Sequence, residues 1–268
     1  MLKARPLLRW AGSKNRQFSE YYKHFPNTYR RYAEPFSGSA SFLFSMQDCE
    51  AHLNDINEDV ISFYAHVVDE QENFYAQFSA LKRGRDEYYA FRDEFNQIEK
   101  SFRRSLLFYY LNRNCFNGLY RVNKKGHFNV PYSDSRVSSY LSLEEFIRSV
   151  KILKGKTFSC GDFASFCQKT VEPADFVFLD PPYFSNSVRV FSDYHHSGFG
   201  ATDVPRLREV LSMIDERNAY FLLSFPVGQI AEILSDGWQT RKIEVRRTMA
   251  GDLNMRRSDH EVLISNYE

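Results

Sequence analysis

The chain has 268 residues, enough for one large α/β domain or for a domain carrying an inserted module. With 43% hydrophobic and 26% charged residues it has the balance of an ordinary globular chain. A formal net charge of +1 excludes a molecule-wide field for an anionic polymer, so any such surface must be local. Cys49, Cys115, Cys160 and Cys167 form no C-x-x-C pair, and no His stands at zinc spacing. The expectation is reduced thiols, no bound metal and a cytoplasmic location. No apolar run has the length of a signal-peptide core or a membrane span.

Taken in chain order, short apolar runs alternate with amphipathic stretches. RYAEPF (31–36) predicts a first strand, ending in the small-residue turn SGSA that opens a helix. AHLND (51–55), TFSCGD (157–162) and DFVFLD (175–180) predict three more, each with an acid at its carboxyl end. YFLLSF (220–225), a ragged strand near 239–248 and EVLISN (261–266) complete the set. This is the alternation of a parallel or mostly parallel sheet covered by helices, an α/β fold.

Between 57 and 153 the pattern becomes helical, aromatic and charged, with one hairpin signal. Leu119 to Val122 and His127 to Pro131 flank the polar turn Asn123-Lys124-Lys125-Gly126. Such a block, set into a strand–helix alternation, predicts an inserted recognition unit at 57–153, with 1–56 and 154–268 forming the main domain.

Asp180-Pro181-Pro182-Tyr183 follows the cleanest strand, and the carboxyl ends of strands are where open α/β sheets hold ligands. Two prolines keep the backbone extended and remove two amide donors, which leaves a carboxylate and a carbonyl as rigid acceptors beside a ring. An exocyclic amino group needs that arrangement: two acceptors for its hydrogens and an aromatic face for its base. The bland alternative is a stiff turn, but the four-residue string arises by chance in roughly one chain per thousand of this length.

The loop Glu34 to Ser41 is built of small residues that let a ligand approach the backbone, although Ser and Gly also serve as plain helix caps. Asp55, at the next strand end, suits a ribose diol. Asp162 could accept from an adenine amino group or cap a helix, and the residues alone leave both open. From Arg103 to Arg136 there are seven Lys/Arg (Arg103, Arg104, Arg113, Arg121, Lys124, Lys125, Arg136) against one acid, Asp134, a local excess of +6 that suits phosphates. Arg121 is the best base reader, and Leu119 and Pro131 could meet a thymine methyl or wedge into a stack. Arg246, Arg247, Arg256 and Arg257 bracket the loop 248–255 and form a second basic set, for phosphates or for closing over the site. His195 and His196 read as loop residues and not as metal ligands, and Ser224 reads as structural.

The strings RWAGSK (9–14), EPFSGS (34–39), LNDIN (53–57), LNRNCFNGLYRVNKKGHFNVPY (111–132), DPPY (180–183) and EVLISN (261–266) occur in this order, and together they resemble the Dam family of DNA adenine-N6 methyltransferases. The likeness spans nearly the whole chain. It implies an α/β methyltransferase sheet (catalytic domain 1–56 and 154–268) with an inserted helical and hairpin target-recognition domain (57–153). It implies S-adenosylmethionine as cofactor, lined by Trp10, Lys14, Phe36, Gly38, Asp55, Asp162 and Asp180, with Lys14 there or on DNA. It implies catalysis by Asp180, Pro181, Pro182 and Tyr183 on an adenine flipped from double-stranded DNA. DNA contacts fall on Leu119, Arg121, Lys124, Lys125, Pro131, Arg247 and Arg256, and Tyr194 and Phe199 lie in a loop toward DNA or the flipped base. The block around Arg121 is similar to that of GATC-reading members, and the expectation is a monomer in solution.

Two departures stand out: Ser39 replaces a usual loop glycine, and Ser13 replaces another. After Pro131 the chain also diverges, at Tyr132 to Ser135. The rivals are an RNA or protein-amide methyltransferase, which more often has Asn at the first motif position, and a non-catalytic DNA-binding protein on the same scaffold.

Overall fold

The computed structural model describes residues 4–46, 49–133, 140–182, 199–248 and 256–268. Seven strands form one mixed sheet: β1 (Tyr32–Glu34), β2 (Ala51–Asp55), β3 (Thr157–Cys160), β4 (Phe176–Leu179), β5 (Tyr220–Pro226), β6 (Gln239–Thr248) and β7 (Arg256–Ser265). Their order is β3-β2-β1-β4-β5-β7-β6. The first five run parallel, while β7 inserts antiparallel to both β5 and β6.

Alternation along the strands divides the core in two. Phe176, Phe178, Tyr32, Leu222 and Leu263 enter one apolar cluster, whereas Val177, Leu179, Ala33, Phe221, Leu223 and Ile264 enter the other. Both faces are therefore covered, which is why the parallel strands read as unbroken apolar runs. The first face carries α1 (Phe18–Tyr22), α2 (Glu58–Asp69), α3 (Gln71–Ala80), α4 (Arg85–Gln97), α5 (Phe102–Asn114) and α6 (Leu143–Leu153). The second carries α7 (Phe163–Thr170), α8 (Asp203–Glu216) and α9 (Gln229–Ser235). Residues 57–153 thus supply α2 to α6, and their apolar side chains share one cluster with the sheet.

Helix starts follow local chemistry. Asn57 caps α2, Ser101 caps α5, and Ser142 with Glu145 forms a reciprocal capping box on α6. In α5 every residue from Ser105 to Asn114 is buried, so its polar residues need internal partners. Asn112 finds them on the backbone of Arg9, accepting from its N–H at 2.8 Å and donating to its carbonyl at 2.6 Å.

Two expectations are corrected. The first strand is three residues long, not six, and turns at Pro35 and Phe36. The loop after it opens no α-helix but a 3-10 turn at Leu43–Ser45. Phe42, Leu43 and Phe44 are all buried, so the segment has no polar side to turn to water, and Ala40 before it sits at φ 49°. Among the described residues no helix is long and apolar enough to cross a membrane.

Candidate active site

At β1 the sheet order reverses direction, with β2 on one side and β4 on the other, and such a switch point opens a crevice at the carboxyl ends. Asp180 follows directly on β4, at that end of the sheet. Its two carboxylate oxygens accept from the Lys14 ammonium at 2.7 and 2.9 Å. Lys14 is not on the surface, as a DNA contact would require: its side chain is 8% exposed, and it also lies 3.7 Å from Glu261. Burial would depress the Lys14 ammonium, but Asp180 and Glu261, with Tyr21, raise it above its ordinary value. Pro181 is buried and Pro182 partly so. Tyr183, with Tyr194, His195 and His196, lies outside the described residues.

The loop after β1 is tied to the end of β2. One Asp55 oxygen accepts from the Gly38 amide at 2.8 Å and the other from the Asn57 amide at 2.8 Å. Asn54 is the clasp beneath: its amide donates to the Pro35 and Gly161 carbonyls, and its oxygen accepts from the Ser159 hydroxyl. Gly38 has φ +45°, and a Cβ there would stand 2.7 Å from the Trp10 indole. Trp10 in turn stacks on Tyr120 at 5.9 Å. Ser39 and Ser13 are not in left-handed backbone, so replacing glycine at those two places brings no strain.

The basic segment that begins at Arg103 is more internal than its charge suggests. Arg104 is clamped by Asp59 and by the Phe95 and Ile98 carbonyls. Arg103 pairs with Glu94, and Arg113 is 8% exposed inside α5. These three serve the fold, so the local excess of +6 overstates the surface charge. Lys124 and Lys125 are exposed on the turn. The hairpin is present as a single bridge, Val122 to Phe128, closed by Asn123 to the His127 carbonyl and back to Gly126. Arg121 donates from Nε to the Asn129 side chain at 2.7 Å.

Leu119 and Arg121 do not form one equivalent outward pair, because Leu119 packs against the core. Beside the hairpin, Phe116 is exposed at 42%, with its amide donating to the carbonyl of exposed Pro131. The sequence reading passed over Phe116; its place just before an Asn-Gly turn was the available signal. That turn needs its glycine: Gly118 has φ +65°, and a Cβ would meet Arg9 at 2.4 Å. Arg247 and Arg256 lie at the far ends of β6 and β7, next to the pair Thr248–Arg256 that closes the ladder, and 249–255 lie outside the described residues.

Residues 10–249 match the family of D12 class N6 adenine-specific DNA methyltransferases. The chain belongs to that family. It is 30% identical to the type II methyltransferase M.MjaIII of Methanocaldococcus jannaschii, over 99% of this chain and 100% of that one. It is 31% identical to the type II methyltransferase M1.LlaDCHI of Lactococcus lactis subsp. cremoris, over 98% and 95% of the two chains. It is 31% identical to the DNA adenine methylase of Escherichia coli K12, again over 98% and 95%. The protein is thus an adenine-specific DNA methyltransferase that uses S-adenosylmethionine.

Two features of this D12 methyltransferase fit that cationic, aromatic-seeking cofactor. Glu34, at the end of β1, is 5% exposed, and one carboxylate oxygen and the neighbouring Ser37 hydroxyl are sealed in without a hydrogen-bond partner among the described residues. Burial pushes the Glu34 carboxyl well above the usual range, Tyr32 opposes this, and the Asp180 and Asp55 charges add to it. The Asp55 and Asp180 carboxylates beside Glu34 suit a ligand that brings positive charge. The sequence reading placed Glu34 at the start of the small-residue loop and gave it no role of its own.

The second feature is aromatic. Phe36 packs on Phe163 at 5.1 Å and on Phe199 at 6.1 Å. Phe163 was also missed. Phe199 is 8% exposed, packed in the second apolar core. Asp162 caps α7 through the Ala164 and Ser165 amides, and both its oxygens hold Arg206 at 2.7 Å. The helix-cap reading of Asp162 is thus present, and the cap fixes Phe163 at the first position of α7.

Proposed function

We propose that this enzyme methylates N6 of an adenine flipped out of double-stranded DNA, within a short specific site for which GATC is the leading reading. The observation that carries the proposal is the ion-paired Asp180 carboxylate at the end of β4, beside the β1 switch point.

S-adenosylmethionine supplies an electrophilic methyl group. The chain does the rest by placement and fixed charge. Asp180 and the Pro181 carbonyl accept the two N6 hydrogens, which raises electron density on the nitrogen and aims its lone pair. Tyr183 stacks on the extruded base and offsets the lost stacking. Asp180 then takes up the proton that N6 sheds. Asp55 would hold the ribose end of the cofactor, Glu34 and Ser37 would face its methionine end, and Phe36 with Phe163 would take the adenine, while Trp10 walls the loop at Gly38. Lys14 fixes the Asp180 carboxylate in place.

Residues 57–153 form the target-recognition unit. Arg121 reads a guanine edge, Phe116 and Pro131 enter the stack beside it, and Lys124, Lys125, Arg247 and Arg256 grip phosphates. The test is to map methylated adenines in DNA from cells that express the protein. Modification of one adenine in every copy of a single short sequence supports the reading. Scattered modification, or none, contradicts it.

A further inference from the structure

Behind Asp180 lies a second acid that the family comparison does not assign. Glu261 is 1% exposed in β7, where it pairs with Pro226 of β5 and Ile243 of β6. Alternation puts it on the same face as Leu263, in the first apolar core. Ser224 of β5 shares that face with Leu222 and is 0% exposed. An acid here is costly unless paired. One Glu261 oxygen accepts from the Tyr21 and Ser224 hydroxyls, the latter at 3.0 Å, and the other lies 3.7 Å from Lys14 Nζ. Tyr21 and Ser224 also touch each other at 3.2 Å. Four separate parts of the chain thus meet around one ammonium.

We propose that Glu261 is a positioning residue for methyl transfer, which acts through Lys14 on Asp180. Lys14 sits between two carboxylates, so the trio carries a net negative charge. Without Glu261 the ammonium draws closer to Asp180 and quenches more of the charge that Asp180 presents to N6. With Glu261, held by two hydroxyls, Lys14 fixes the Asp180 geometry and leaves part of that charge for the base. Tyr21 and Ser224 set the Glu261 rotamer. The proposal rests on the reading of Asp180 as the N6 acceptor.

The test compares Glu261→Gln and Glu261→Asp for kcat, for KM of S-adenosylmethionine and of duplex DNA, and for melting temperature, with Asp180→Ala alongside. Gln keeps the size and can accept from both hydroxyls but drops the charge; Asp keeps the charge and withdraws it by one methylene. The expected order of kcat is wild type, then Asp, then Gln. Gln should be down about tenfold at saturating substrates, with both KM values within about threefold. A purely structural Glu261 gives the opposite order, with isosteric Gln near wild type and Asp, which opens a gap in the core, the weaker. That order, or a Gln variant within twofold of wild type, overturns the proposal, and so does a Gln variant that no longer folds. If Asp180→Ala retains activity, the acceptor reading itself has failed; if Asp180→Ala is dead while Glu261→Gln is normal, only the role of Glu261 has.

Discussion

The Lys14 ammonium donates to both oxygens of Asp180 from 166 residues away in the chain, at 2.7 and 2.9 Å. The pairing joins the N-terminal segment, where RWAGSK reads as a cofactor motif, to the DPPY motif at the end of β4. A carboxylate so held keeps lone pairs for a further donor. The two motifs are thus joined through one ion pair.

Gly38 and Ser39 should respond oppositely to exchange. Gly38→Ala forces a side chain into left-handed backbone, worth about 1–2 kcal/mol, and drives a Cβ to within 2.7 Å of Trp10. The expected outcome is a lower melting temperature and cofactor binding weakened by about tenfold or more, read by thermal shift and titration calorimetry. Ser39→Gly, by contrast, should leave binding within about twofold, since Ser39 is not in left-handed backbone. Equal behaviour of the two variants would contradict the account of this loop.

Glu34 predicts a pH dependence of stability. Its carboxyl is held neutral in the folded chain well above its ordinary value of 4.5, whereas the unfolded chain ionises it there. The folded chain therefore binds more protons, and Glu34 costs stability as pH rises past 4.5, by at most about 1.4 kcal/mol per pH unit, until its folded value is reached. Glu34→Gln removes that cost while keeping the shape. Without cofactor, Gln should melt higher than wild type at pH 8, and the gap should close toward pH 4. A gap independent of pH would show that Glu34 is ionised in the free protein.

These cases separate what the chain discloses from what it hides. The sheet was legible because Phe176 to Leu179 and Tyr220 to Phe225 are apolar on both faces, as buried parallel strands must be. DPPY was legible because its chemistry is local. Glu34 was not, since only the third dimension brings it beside Asp55 and Asp180 and seals it from water. Charge counting failed for Arg103, Arg104 and Arg113, because their partners Glu94 and Asp59, and the burial of α5, are invisible to a running sum. Asp162 shows the limit of motif position: an acid at a strand end is also the residue best suited to start the next helix.

Arg121 and Lys124 should separate specificity from affinity. Asn129 anchors the Arg121 fork at 2.7 Å, which presets its direction, whereas Lys124 is exposed on the turn. Arg121→Ala should relax the site at one G·C pair, losing about 1–3 kcal/mol of discrimination, and Lys124→Ala should weaken all sequences alike. The measurement is methylation of duplexes that carry each single substitution in the mapped site, at fixed salt. A uniform loss in Arg121→Ala would make Arg121 a phosphate contact and remove the main support for GATC.

The most direct measurement of the central claim is single-turnover methyl transfer from labelled S-adenosylmethionine to a duplex bearing the mapped site, by wild type and by Asp180→Ala, with cofactor affinity measured on the same samples. The account predicts N6-methyladenine from the wild type, a loss of at least about a thousandfold in Asp180→Ala, and cofactor binding within a few-fold. Activity of Asp180→Ala within a few-fold of wild type would contradict it.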